Sequence, residues 1–515
     1  MRRCLVHKNH PHPCPLPAYR ERVKELLRAS IKILLFVFVL RTLPVLAADL
    51  PRLAEQPIFD HGRVKPVDTF ARENVRAITG HSTDALTRLV QWVENPQGAR
   101  AEQALYVPVI ALRERLGIAS DHISADQLRG DDDFRIFSAE AIRRKAQDKD
   151  LSLTAIEQGA IDLRDRLEAF NELLSNAELR GIVGRWRSNQ LPIGGTDASR
   201  MLRWEVFYNR VAPFEIACAV YLLALMVTIV RKDFGVVILT VAVLIHIAAI
   251  VLRCSITGWA PVTNIYETLV WVGLISSILS LGMYAVYRAQ LIVITGAVIA
   301  AIATILASTI PPQFGSEIRA IPPVLRSNFW LSLHVLTIVS SYAAFAVGMA
   351  IGNVILGQYA KRSSPDRIAH NANLLDRAIQ VGVVLVAAGT ILGGLWADVS
   401  WGRFWGWDPK EVWALIILLT YLALLHARHA RWLGSFGMAA GSVLAWTTVI
   451  MSWYGVNFLL GTGLHSYGFG SGGQTYVFAY LICQWIFVAV VWMIHRRNNK
   501  LAACLNRQPQ LTTTN

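Results

Sequence analysis

Charge is scarce in this sequence. Asp, Glu, Lys and Arg make up 17% of its 515 residues, while 54% are hydrophobic. Soluble domains carry about 25% charged residues, so an ordinary soluble enzyme is excluded. Cysteine is sparse as well. The six (Cys4, Cys14, Cys218, Cys254, Cys483, Cys504) include no Cys-x-x-Cys pair and no Cys-x-x-Cys-His segment, so the chain is not itself a c-type cytochrome. Cys218 and Cys483 fall in apolar runs and read as small core residues. An internal repeat and polar, broken mid-membrane helices are missing too, which argues against an ordinary solute or ion transporter.

Long apolar runs are abundant instead. Nine are long enough to cross a bilayer: about 211–230, 235–253, 266–287, 291–310, 329–356, 376–396, 411–427, 436–460 and 475–494. The fold class expected is therefore an all-α polytopic membrane protein. The net charge of +14 is concentrated on alternate turns: Arg231 and Lys232, Arg288, Lys361, Arg362 and Arg367, Arg428 and Arg431, then Arg496, Arg497 and Lys500. The intervening 461–473 loop has no Lys or Arg at all. That is the positive-inside pattern. It assigns the basic turns to the cytoplasm and accounts for the charge without nucleic acid.

Residues 1–48 combine basic residues (Arg20, Arg22, Lys24, Arg28, Lys32), a short apolar run Ile33–Leu40 and small residues at Ala47-Ala48. They read as a secretory signal or an N-terminal anchor, and either would export the polar stretch after it. Residues 49–210 are polar and long enough for a separate, mainly helical extracytoplasmic domain. Helical periodicity runs from Phe137 to about Leu174, Asp131-Asp132-Asp133 reads as a turn, and Pro192–Gly195 as a linker. The stretch Phe59–Phe70 has the dense polar and Gly/Pro mixture of a specific loop. His61 and His122 read as surface residues. Docking a partner protein is the most economical role for this domain. Residues 211–497 form the transmembrane domain, and 498–515 a cytoplasmic tail.

The most informative segment is Trp396-Ala-Asp-Val-Ser-Trp401-Gly-Arg403-Phe-Trp405-Gly-Trp407-Asp408-Pro409-Lys410-Glu411-Val-Trp413, a polar break between two apolar runs. If the loop is helical, Trp401 and Trp405 share one face. Asp408, Pro409 and Glu411 spell an N-cap, a first-turn proline and a capping box for the next helix. A tryptophan cluster at a membrane edge needs either a large flat apolar partner or the interface itself, as an aromatic belt.

The run Trp-Gly-x-x-Trp-x-Trp-Asp-Pro-Lys-Glu resembles the tryptophan-rich WWD motif of haem-handling proteins, and its continuation is similar to the CcsA/ResC branch of System II cytochrome c biogenesis. Ser327-Asn-Phe-Trp330-Leu-Ser-Leu-His334 resembles the family's first extracytoplasmic histidine segment. Gly455-Val-Asn457 through Gly463-Leu-His465-Ser-Tyr-Gly468 resembles the second, and Pro261-Val-Thr-Asn264-Ile-Tyr266-Glu267 matches a further loop. The resemblance covers about 211–497 and leaves 49–210 unexplained.

It implies the CcsA-type component of a cytochrome c synthase (haem lyase) complex in a bacterial inner membrane. Haem b would be carried to a WWD site within 396–413 on the periplasmic side. There the thiols of an apocytochrome c Cys-x-x-Cys-His segment would add to its vinyl groups. A ResB/CcsB-like membrane protein would complete the complex, and no catalytic side chain is assigned. His334 and His465 would be axial ligands of one outer haem. His426, in a Leu-Leu-His-x-Arg context, would be an inner ligand. Trp401, Trp405, Trp407 and Asp408 would build the platform, and Arg403, with Arg319 and Arg326, would pair propionates. The bland readings are an interfacial His334, an exposed loop His465, a helix C-terminal His426, solvated arginines and a purely capping Asp408. His246, deep in the second span, is a further candidate ligand or a hydrogen-bonded core histidine. A haem transporter or chaperone without attachment activity would share the platform and the histidines.

Overall fold

The hydrophobic interior is divided where the sequence changes composition: one core gathers residues 53–183, and two more fill the bundle from residue 208 onward. The computed structural model describes residues 50–148, 153–191, 197–309, 317–318, 329–460 and 473–507.

In the N-terminal domain, β1 (Pro57–Asp60) pairs antiparallel with β2 (Arg63–Pro66), Ile58 opposite Lys65. The connection is His61-Gly62, both residues at positive φ (47° and 78°). That is the two-residue turn whose twist suits a hairpin. The chain then enters α1 (Val67–Thr79). The 59–70 stretch is thus a hairpin leading into a helix, not the loop expected of it. Asp131 caps α2 (Asp132–Gln147) by accepting from Phe134 N at 2.8 Å, with Asp132 and Asp133 in the first turn, where the helix dipole favours anions. The acidic triplet starts a helix instead of making a turn. A Thr154/Glu157 capping box opens α3 (Ala155–Ser175), so the periodic run from Phe137 is split into two helices. Trp92, edge-on to Phe170 at 5.0 Å, fills the centre of this domain. His61 is exposed and bonded to Asp60; His122 is partly buried, bonded to Asp121 and to Thr79 O.

The bundle follows α4 (Asp197–Val211) through α5 (Pro213–Val230), α6 (Lys232–Thr257), α7 (Ile265–Tyr287), α8 (Gln290–Thr309), α9 (Phe329–Ala360), α10 (Pro365–Trp401), α11 (Pro409–His429) and α12 (Ser435–Ile450). A π-helical segment, Met451–Leu460, continues α12, and α13 (Gln474–Arg507) comes last. Among the described residues nine helical stretches are long and apolar enough to span a membrane, and the chain is a multi-pass, all-α membrane protein. Two of these helices outrun expectation clearly: α13 continues past residue 494 to Arg507, and α10 starts early. α10 begins well ahead of residue 376, because its first turns are amphipathic: Asp366, Arg367 and Arg377 share the helix with buried Ile368, Leu374 and Leu375. Cys218 is half-buried, but Cys483 lies exposed on α13 and is no core residue.

α9 packs along α10 and also against α7 and α12, which brings the start of α9, the end of α10 and the start of α11 to one end of the bundle. The N-terminal domain sits at this same end. Arg63 Nη1 and Nη2 donate to the Glu205 carboxylate of α4 at 2.9 and 2.7 Å, and its Nε donates to Ile318 O at 2.7 Å, in the connection ahead of α9. Thr69 Oγ1 donates to the same carboxylate at 2.8 Å. Bidentate arginine–carboxylate pairs are the geometrically demanding kind, so the domain is held in register with the bundle.

Candidate functional site at the tryptophan loop

α10 stops at Trp401 because Gly402 adopts the left-handed conformation (φ 68°) and closes the helix onto Asp398 O. The next helical residue is Pro409. Residues 402–408 are therefore irregular, and Trp401 and Trp405 do not share a helix face. Trp407 has φ 57°, a conformation that a bulky residue adopts only when its surroundings hold it there. The loop does hold it: Glu411 Oε2 accepts from Gly406 N at 2.7 Å and from Asp408 N at 3.2 Å, while Asp408 Oδ1 accepts from Lys410 N at 2.9 Å. This is the capping box expected from the sequence, extended one turn back to grip Gly406. Arg403 lays its guanidinium across Gly406, where a Cβ would meet Nη1 at 1.3 Å.

Beside the loop stands His334, one turn into α9 and half-buried. Its Nδ1–H donates to Gly389 O at 2.7 Å. That bond fixes the neutral tautomer and leaves Nε2 with the lone pair a metal ion needs. α10 makes room for the ring with glycine: a Cβ on Gly393 would lie 2.7 Å from His334 Cε1, and one on Gly389 2.9 Å from Ile338 Cα. The ring lies parallel to buried Trp396 (centroids 6.3 Å, interplanar angle 7°), and Trp396 meets Trp401 edge-on at 4.6 Å. Trp405 and Trp407 form a second edge-on pair at 5.8 Å, with Trp407 70% exposed. The structure thus brings His334, Trp401, Arg403, Trp405, Trp407 and Asp408 to one end of the bundle. His465, Arg319 and Arg326 lie outside the described residues.

A further tie was not visible in the sequence motifs. Lys410 Nζ donates to Asn457 Oδ1 at 2.9 Å, and Asn457 Nδ2 to Trp453 O at 2.6 Å. Asn457 belongs to the π-helical segment that leads toward His465; π-turns recur at functional sites. The small-residue spacing Gly389-x-x-x-Gly393 was the available signal for close approach of α9 and α10.

His426 is far from this cluster. It lies exposed near the other end of α11, its Nδ1 donating to Leu422 O at 2.7 Å, so Nε2 again carries the lone pair. Arg428 pairs with Asp376 of α10 at 3.2 Å. His246 is fully buried, with Nδ1 3.0 Å from Tyr221 Oη and its ring edge-on to Phe214 at 5.3 Å.

The family described as Cytochrome C assembly protein matches residues 259–465. The cytochrome c biogenesis protein CcsA of Guillardia theta is 36% identical, over 41% of this chain and 78% of that protein. CcsA of Prochlorococcus marinus (strain MIT 9303) is 31% identical, over 44% and 81%. Protein NrfI of Wolinella succinogenes is 33% identical over 44% of this chain, a match that spans 25% of NrfI. A solved structure of the cytochrome c heme lyase CcmF is similar at a TM-score of 0.38 and 15% identity, over 55% of this chain and 50% of that one.

Proposed function

The chain belongs to the CcsA family of cytochrome c biogenesis proteins, and from that premise we propose that it presents haem b at the tryptophan loop for thioether attachment to apocytochrome c. It acts in cytochrome c biogenesis and handles haem; the loop is where we assign that handling. The observation that carries the reading is the His334 imidazole, its Nδ1 committed to Gly389 O and its lone pair on Nε2, lying beside four tryptophans at one bundle end.

The donor set fits haem. A neutral imidazole suits iron, indole faces suit a porphyrin, and Arg403, with no hydrogen-bond partner among the described residues, suits a propionate. Bound there, haem supplies two vinyl groups; each thiol S–H of the apocytochrome Cys-x-x-Cys-His segment adds across one, with no net change in redox state. The work of this chain is positioning. His334 and His465 would supply the imidazoles that hold the iron. The tryptophans exclude water, and Asp408 and Glu411 keep the loop in shape. The apocytochrome histidine would take over from one of these two imidazoles. On this reading the loop end faces the periplasm of a bacterial inner membrane, and the basic turns face the cytoplasm. His426 offers a ligand for haem arriving from that side, and a ResB/CcsB-like partner provides the opposing histidine. The complex, not this chain alone, is the synthase.

A visible spectrum of the purified full-length chain tests the assignment. Low-spin Soret and sharp α and β bands are expected. Co-expression with the partner and an apocytochrome should yield covalent cytochrome c. Normal haem spectra without any covalent product in that co-expression would support a haem transporter or chaperone instead.

A further inference from the structure

A cleft of about 280 Å³ lies where α1 of the N-terminal domain meets the tips of α5, α6, α7 and α8, at the tryptophan-loop end. Its lining mixes both charges: Arg76 and Glu73 from α1, Arg253 from α6, Glu215 from α5 and Glu317 from the segment after α8. Arg253 is the unusual member, only 5% exposed. Its Nε donates to Glu267 Oε1 at 2.8 Å, its Nη1 donates to Tyr208 Oη at 3.2 Å, and the guanidinium lies 4.9 Å from the Tyr266 ring centroid. Nη2 is buried with no hydrogen-bond partner among the described residues. A buried donor on a charged group is costly to leave unmade, and an acceptor that reaches it recovers that cost. Arg76, partly buried, likewise has no ion-pair or hydrogen-bonded side-chain partner among the described residues. A separate void of about 10 Å³ touching Arg253 has room for one water at most.

We propose that this cleft binds a phosphoethanolamine-type zwitterion, supplied as the headgroup of a phospholipid from the adjoining leaflet. Three guanidiniums and four carboxylates line the cleft; Arg72 is paired with Asp68 and Glu205 with Arg63, which leaves Arg76 and Arg253 to suit the phosphate and Glu215, Glu317 and the Lys65-bonded Glu73 to suit the ammonium. A plain anion would face more carboxylates than guanidiniums, and a plain cation would leave Nη2 unmet. The volume is near the lower end of small-molecule pockets, about 300 Å³, which admits a headgroup and not a porphyrin. The floor of the cleft is formed by the ends of four spans, the depth at which headgroups lie. Occupancy of the cleft is independent of the haem reading of the tryptophan loop.

The test uses the full-length chain, delipidated in detergent and titrated with phosphatidylethanolamine or phosphatidylglycerol under native mass spectrometry. One tightly held phosphatidylethanolamine is expected, preferred about tenfold over phosphatidylglycerol. Arg76→Ala should weaken it about tenfold with unchanged circular dichroism and melting temperature. Arg253→Lys, which keeps a cation for Glu267 and removes Nη2, should weaken it as well. Equal retention of both lipids, or retention indifferent to both substitutions, overturns the proposal and leaves a water as the partner of Nη2. A third arm adds soluble phosphoethanolamine. Weak competition upholds the lipid, whereas competition at equal affinity upholds the zwitterion site and removes the lipid as its source.

Discussion

Lys410 and Asn457 are 47 positions apart in sequence and 2.9 Å apart in space, the ammonium of one donating to the amide oxygen of the other. The pair joins the loop that ends at Asp408 to the π-helical segment that leads toward His465. Lys410→Met should remove the tie while keeping the stem of the side chain. A hydrogen bond from a charged donor contributes about 1.5–3 kcal/mol. Haem retention at the outer site is therefore expected to fall roughly tenfold, with membrane insertion unchanged. Asn457→Ala should do the same, and the double variant little more. Additive losses in haem titrations of the three proteins would show that the two residues act separately.

His334→Gly should remove one axial ligand and shift co-purified haem toward high spin, read from the Soret and α/β bands. Added imidazole should restore much of the low-spin spectrum, because the Gly389 carbonyl that orients Nδ1 is still in place. A low-spin spectrum unaltered by the substitution removes His334 from the iron.

Trp407 separates fold from function. A bulky residue in the left-handed region costs about 1–2 kcal/mol, so Trp407→Gly should leave the melting temperature level or slightly raised, and Trp407→Ala should melt lower than the glycine variant. Both should lower haem content severalfold. Full haem content in both variants would make Trp407 a membrane-interface anchor only.

Glu73 gives the joint between domain and bundle a pH dependence. Burial, opposed by Lys65 at 2.5 Å and reinforced by Glu317, pushes its carboxyl up from 4.5 to about 7. The folded state then binds more protons than the unfolded state between those values, so stability falls as pH rises from about 4.5 through 7. Thermal melts between pH 5 and 8.5 should show this decline, and Glu73→Gln should flatten it. A melting temperature that rises across the range would contradict the assignment.

His426→Ala, with and without the partner protein, tests the inner site. Loading of the outer haem should drop when either His426 or the partner is missing. Full loading by the chain alone, indifferent to the substitution, would mean that haem reaches the tryptophan loop by another route.

The capping box at Asp408 and Glu411 was legible because its chemistry is local: three residues determine which N–H groups are met. The spans were legible through hydropathy alone, which is also why the amphipathic start of α10 was not. Its polar residues mark no boundary for the backbone, which continues the helix through them. The irregular path from Gly402 to Trp407 escaped notice because indole spacing says nothing about φ. The bond that arrests the loop comes from Glu411, on the following helix. The hairpin at His61-Gly62 was hidden by an atypical turn pair, and the Lys410–Asn457 contact by its separation in sequence. His334 was identified by motif resemblance, but its tautomer depends on Gly389, in a helix the motif does not include.

Arg63 has a practical consequence for dividing this polypeptide. One guanidinium on the first hairpin grips both α4 and the carbonyl of Ile318, on the approach to the helix that bears His334. The stretch that the family matches begins at residue 259, yet part of what steadies the connection ahead of α9 is made some two hundred residues earlier. Trimming the chain to its shared portion would strand the Glu205 carboxylate or delete it, and would untether Ile318 in either case. A minimal unit for reconstitution therefore starts before Pro57, and chimaeras with shorter relatives must bring a substitute for this one arginine.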